Sequence, residues 1–196
     1  MNFLQTHQGE IALVTIDLGG NDLLHLDAHG NAVYCPLQRH GCGKRVTRMA
    51  DNLAMILTEV KAAAGPRVPI VGMTYDDVIA PRCDADRSLM PACRRFDAFN
   101  RRLAAVYRAA HVPVADVGAA FENDDLAHAA QHVCAWTWFC SRGDFHPDTT
   151  GYGVITHTYE NVVARVMTQE QKHQWPTSLN VSRVCARTSS SRVARC

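Results

Sequence analysis

Two short segments carry side chains whose types and spacing suit catalysis. Gly19-Gly20-Asn21-Asp22 directly follows an apolar run. Its glycines let the backbone turn sharply and approach a ligand closely, and the Asn21 amide can donate a hydrogen bond to a developing oxyanion. The second segment, Gly143-Asp144-Phe145-His146-Pro147, leads through Gly151-Tyr152-Gly153 into a helical stretch. A histidine beside an aspartate, just ahead of a helix, offers a general base whose tautomer a carboxylate can hold. Each segment alone also has an ordinary reading, the first as a strand-ending turn and the second as one of ten histidines. The other histidines have no comparable context, except His40, which lies near Cys42 and raises the question of zinc.

The elements that must position these segments alternate. Residues 11–18 form a nearly continuous apolar run with β-branched members, as in a buried parallel strand, and Gly19-Gly20 ends it. A polar loop with Gly30, Gly41 and Gly43 follows. Val46, Met49, Leu53, Ile56, Leu57 and Val60 then make a helical stripe over about 45–64, closed by Gly65-Pro66. Val68–Met73 reads as a second strand. Phe96, Phe99, Leu103, Val106 and Ala110 mark another helix, and Val112–Val117 a third strand. Residues 118–150 read as irregular, with the aromatic cluster Trp136, Trp138 and Phe139, and residues 151–167 return to helix. The order β-loop-α repeated is that of an α/β protein, a parallel sheet covered by helices. Both candidate segments then fall where such sheets bind ligands, beyond the carboxyl ends of the strands.

Composition narrows the function. The 196 residues are 47% hydrophobic and 20% charged, with a net charge of +1, values of a globular domain with a real core. That balance argues against a nucleic-acid binder acting through a basic field. No apolar run approaches a membrane span, and no signal peptide precedes the first strand. Residues 1–170 are expected to be one domain and 171–196 a disordered Ser/Arg-rich tail. That tail holds Arg183, Arg187, Arg192 and Arg195 and no acid over its last 21 positions. The eight cysteines include three local pairs, Cys35 with Cys42, Cys83 with Cys93, and Cys134 with Cys140. Such pairs read most simply as disulfides of an exported protein, because structural zinc favours the C-x2-C spacing that is missing here. No metal and no organic cofactor is implied.

Taken together and in this order, the two segments resemble the SGNH (GDSL-like) hydrolase family, an esterase-lipase family, over about residues 3–167. Gly19, Asn21 and Asp22 match its G-x-N-D block, in which the Asn is an oxyanion-hole donor. His146, Pro147, Gly151 and Tyr152 match the block that supplies its general-base His. The three cysteine pairs look like those of secreted, actinobacterial-type members. The resemblance implies a three-layer α/β/α sandwich with a parallel sheet, flavodoxin-like. It also implies a serine ester hydrolase acting through an acyl-enzyme on a small-molecule or lipid ester. His146 and Asp144 are then the catalytic residues, with Asn21 and Gly19 in the oxyanion hole.

The departures shape the expectation. The family nucleophile is a Ser in a G-D-S block on a strand upstream of G-x-N-D, and none of the 18 residues before Gly19 is Ser. The block that supplies a second oxyanion donor is also missing. The family often has Asp three residues before the His, where this chain has Gly143; Asp144, two before it, or a backbone carbonyl near Gly143 orients the imidazole, with Asp144 preferred. The chain is therefore expected to be the C-terminal part of a secreted esterase that lacks its N-terminal strands, partnered by its own missing N-terminal segment. The alternative is a non-catalytic, ligand-binding remnant of the same fold. Trp136, Trp138 and Phe139 are expected either to line an acyl pocket or to be local core.

Overall fold

A computed structural model describes residues 2–26, 29, 32–38 and 41–167. Along the chain they form α1 (Asn2–Thr6), β1 (Val14–Ile16), β2 (Leu24–Leu26), β3 (Ala32–Tyr34), α2 (Cys42–Ala64), β4 (Ile70–Met73) and α3 (Ala80–Ala85). The order continues with α4 (Met90–Ala109), β5 (Val114–Ala115), α5 (Val117–Ala120), α6 (Leu126–Trp136), α7 (Phe139–Arg142) and α8 (Thr149–Val166). Strands β1, β4 and β5 make a parallel sheet in that order, with Ile16 opposite Gly72 and Gly72 opposite Val114. Strand alternation sends successive residues to opposite faces. Ile16 and Ile70 join Leu53 and Leu57 of α2 and Phe99 and Leu103 of α4 in one cluster. Val71, Met73 and Ala115 join Val117 of α5, Val133 of α6 and Val162 of α8 in another. The chain is thus an α/β protein whose three-stranded parallel sheet is flanked by helices.

Close packing explains several residue choices. Gly72 sits in the middle strand because a Cβ there would lie 2.3 Å from the Tyr107 ring, which is fully buried. The helix α2 ends at Gly65, whose φ of 89° few other residues adopt and whose N–H reaches the Lys61 carbonyl. Asp125 and Asp148 cap α6 and α8, each accepting two backbone N–H groups of the first turn.

The structure corrects the expected boundaries. The first strand is confined to Val14–Ile16, and the third to Val114–Ala115, because Asp116 turns the chain into α5 and caps it by accepting the Ala119 N–H. Residues 118–150 are not irregular: they contain α6 and α7. Part of the polar loop after β1 folds as an antiparallel hairpin of β2 and β3. Three disulfides join Cys35 to Cys42, Cys83 to Cys93 and Cys134 to Cys140. Cys42 is therefore committed to sulfur rather than to zinc. His40 and the tail 171–196, with Cys185 and Cys196, lie outside the described residues. Among the described residues no helix is long and apolar enough to cross a membrane.

Candidate active site

A cleft of about 350 Å³ opens beyond the carboxyl ends of β1 and β4, and Gly19, Asn21 and His146 all line it. Segments about 125 positions apart thus meet at one surface. The first turn is set by Gly19, which has φ 118° and would place a Cβ 3.2 Å from Met49 Sδ. The chain then winds into a 3-10 turn, Gly20–Leu23, in which the Asp22 N–H reaches the Gly19 carbonyl at 3.1 Å. Gly20 admits the Tyr75 ring, only 2.9 Å from where its Cβ would stand. Asn21 and Asp22 are exposed at the mouth of the cleft.

The His146 loop is pinned on both sides. The Trp138 backbone N–H donates to the His146 carbonyl at 3.0 Å, and the Asp148 backbone N–H to the Trp136 carbonyl at 2.9 Å. Thr137 and Pro147 form an isolated bridge between them. Phe145 stacks against Tyr34 on one side and Phe139 on the other, at centroid distances of 5.6 and 5.5 Å. The Asp144 carboxylate oxygen Oδ1 accepts the His146 backbone N–H at 2.9 Å and lies 2.6 Å from His146 Nδ1. The carboxylate, rather than a carbonyl near Gly143, is the group beside the imidazole. The His146 backbone N–H first, and its side chain second, hold the Asp144 carboxyl below its ordinary value. An ionised carboxylate only accepts, so Nδ1 carries the proton and Nε2 is left as the basic atom. The His146 side chain is 78% exposed, so a substrate can reach it.

The loop after β4 adds groups that the motifs did not point to. The Tyr75 backbone is clamped by Asn100, which accepts its N–H at 2.9 Å and donates to its carbonyl at 2.6 Å; Asn123 donates to the same carbonyl. The Tyr75 hydroxyl donates to Asp17 Oδ1. Asp76 follows, a residue of the cleft lining that is 5% exposed; its Oδ2 is buried and finds no partner among the described residues. Burial, opposed by its own backbone N–H and aided by the charge of Asp17, pushes its carboxyl to about 7. Burial likewise pushes Asp77 to about 8, against the Ile79 N–H and with Asp97 and Asp76 adding to the rise. The pairing of two acids directly after a strand was the one available signal in Thr74-Tyr75-Asp76-Asp77.

Trp136, Trp138 and Phe139 do not line the cleft. Trp136 stacks on His132 at 3.9 Å and meets Phe121 edge-on, Phe139 is buried, and Arg142 covers the Trp138 ring at 3.8 Å. They are local core and its cover; Tyr34, Tyr75, Phe96, Phe145 and Tyr152 are the aromatic residues of the cleft lining instead. Among the described residues no group of three or more His, Cys, Asp or Glu is arranged to hold a metal ion.

A model of the GDSL-like Lipase/Acylhydrolase family matches residues 3–154, a span that contains both segments of the cleft, and the chain belongs to this family. No curated protein and no solved structure matches the chain.

Proposed function

We propose that this member of a family of ester hydrolases serves a serine esterase reaction in which His146 is the general base, Asp144 orients it, and Gly19 and Asn21 form the oxyanion hole. One observation carries the reading: the His146–Asp144 pair and the Gly19–Asn21 turn, far apart in the chain, share one cleft at the carboxyl ends of the parallel strands. In the first step the Ser Oγ bonds to the ester carbonyl carbon and its proton passes to His146 Nε2. The carbonyl oxygen takes up the negative charge, which the Asn21 amide and the Gly19 backbone N–H stabilise. The C–O bond to the alcohol breaks, the alcohol leaves with the proton from His146, and water repeats the sequence to release the acid.

The described lining of the cleft holds no Ser, Thr or Cys. In this reading the nucleophile is a serine of a Gly-Asp-Ser segment outside residues 1–196. Its strand would pair along the outer side of β1, which among the described residues has a strand partner only at β4 and would otherwise be an unprotected edge. The sheet then becomes the centre of a three-layer α/β/α domain covering residues 1–170 and that segment. Three disulfides require an oxidising compartment, and secretion meets that requirement.

The test is to read about 300 coding nucleotides upstream of Met1, express the product of the extended frame, and follow hydrolysis of p-nitrophenyl butyrate. A Gly-Asp-Ser block in frame, with His146→Ala reducing kcat/KM by roughly 10³-fold or more, is the expected result. Full activity in His146→Ala sinks the assignment. In-frame stop codons next to Met1, with a soluble and monomeric chain, would favour the second reading, a binding protein that keeps the cleft without a nucleophile.

A further inference from the structure

The three disulfides differ in their surroundings. Cys35, Cys42, Cys83 and Cys93 are buried, whereas Cys134 and Cys140 are both exposed. The exposed bridge ties the last turn of α6 to α7 and closes a loop that contains Trp136, Thr137 and Trp138. That loop is the seat of the His146 segment. The Trp136 carbonyl accepts the Asp148 backbone N–H at 2.9 Å, the Trp138 backbone N–H donates to the His146 carbonyl at 3.0 Å, and the Trp138 carbonyl accepts the Asp144 backbone N–H at 3.4 Å. Thr137 also pairs with Pro147. One short cross-linked loop therefore holds both members of the His146–Asp144 pair by their backbones, and its cross-link is the one of the three that lies at the surface.

We infer that Cys134–Cys140 is a thiol-exchange site that controls the His146 segment. An exposed disulfide is open to attack by an external thiolate, and a buried one is shielded. The reaction with a dithiol balances without a further reactant. One thiolate sulfur bonds to a bridge sulfur and expels the other cysteine as a thiolate. The second sulfur of the dithiol then bonds to the first and expels the remaining cysteine. The dithiol leaves oxidised by two electrons, and its two protons end on Cys134 and Cys140. Opening the bridge returns conformational freedom to residues 135–139. The hydrogen bonds that seat Asp144, His146 and Asp148 then loosen, while α2 and α4 keep their packing. The exchange and the loosening do not depend on hydrolysis. Combined with the esterase reading, on which this last step rests, they make hydrolysis conditional on an oxidising compartment and keep the enzyme silent where thiols are held reduced.

The test begins with the full chain, its free thiols blocked with N-ethylmaleimide. Dithiothreitol is added under native conditions, and timed samples are alkylated with iodoacetamide and mapped by mass spectrometry. Cys134 and Cys140 are expected to be released about tenfold or more faster than the four buried cysteines. In the selectively reduced chain, the amide hydrogens of Trp138, Asp144 and Asp148 are expected to exchange about tenfold or more faster, with α2 and α4 unchanged. The double variant Cys134→Ser, Cys140→Ser should show that faster exchange without dithiothreitol and no response to it. Release of all three bridges together, earlier release of a buried one, unaltered exchange at Trp138 and Asp148, or an equal rise in α2 and α4 each overturns the inference. In the active product of the extended frame, selective reduction should lower kcat/KM about tenfold or more and reoxidation restore it; an unchanged rate overturns the control of the site. Exchange as expected in a chain whose extended product hydrolyses no ester would overturn the esterase reading alone.

Discussion

Gly151 is where the fold and the His146 loop are most tightly joined, and its replacement by Ala has a calculable effect. A Cβ at Gly151 would stand 2.1 Å from the Trp136 carbonyl oxygen and 2.9 Å from Pro147 Cβ. Real contacts of this kind begin near 3.0 Å, so a displacement of about 0.9 Å is required. The Trp136 carbonyl has little freedom to give way. The Thr137 hydroxyl donates to the Val133 carbonyl at 2.6 Å, and Cys134–Cys140 ties the end of α6 to α7. The first turn of α8 must move instead, and the Asp148 N–H then leaves the Trp136 carbonyl. Overpacking of about 1–3 kcal/mol plus a lost hydrogen bond of about 1 kcal/mol predicts a loss of about 2–4 kcal/mol. For a chain of this size that lowers Tm by roughly 5–15 °C. Pro147 moves with the turn and carries His146 with it, and a misplacement of about 1 Å costs roughly 10²-fold in kcat/KM of the active enzyme. Gly153, two residues on, is the control: a Cβ there meets nothing within 4 Å. Gly153→Ala should be neutral or raise stability by up to about 1 kcal/mol. Calorimetric melting of both variants decides the matter. A wild-type Tm for Gly151→Ala, or equal destabilisation by the two substitutions, would refute the argument.

Two further predictions follow from buried groups and cross-links. Asp76 has a folded value of about 7 against an ordinary 3.8, so between those limits the folded state binds more protons than the unfolded one. Stability must then fall as pH rises from about 4 to 7, by a few kcal/mol in order of magnitude, and Asp77 extends the decline to about 8. Chemical denaturation of Asp76→Asn should show a gain over wild type that grows from pH 4 to pH 7; parallel profiles would count against a buried, ionisable Asp76. Replacing both Cys134 and Cys140 by Ser frees a short loop, and chain entropy predicts a loss of about 2 kcal/mol. A smaller proportional change in Tm than in esterase rate would show that the bridge also positions the histidine loop, whereas an unchanged Tm would contradict the entropic estimate.

The residues that were legible in the sequence are those whose pattern is local. The stripes Met49-Leu53-Leu57 and Phe96-Phe99-Leu103 announce α2 and α4 because large side chains repeat at the helical period, and all of them are buried. The helix α6 escaped because it packs through small residues: Ala129 and Ala130 are buried with Ala80 of α3, so its face has little contrast with its flanks. The strands β2 and β3 are three residues each, too short for an alternating period to stand out. Gly19, Asn21, Asp144 and His146 stood out as candidates because their residue types and order form a pattern in the chain itself, and the fold brings Gly19, Asn21 and His146 to one cleft with Asp144 beside the imidazole.

Asp76 differs in kind. Its position depends on Asn100 and Asn123, which come from α4 and from the segment after α5 and grip the Tyr75 backbone from two directions. Asn123 also accepts the Asp77 N–H at 3.0 Å. With the loop held in this way, the Tyr75 backbone N–H and carbonyl are satisfied while the neighbouring Asp76 carboxylate is buried beside the cleft. Energy spent on stability alone would favour an apolar residue at that position. A loop that satisfies its backbone yet leaves one buried carboxylate oxygen without a partner among the described residues breaks the local rule at a single atom, in a residue that borders the cleft shared by His146 and Asn21. Local rules are broken most often at functional or strained sites, and the stability forfeited at Asp76 is what the pH titration of Asp76→Asn measures.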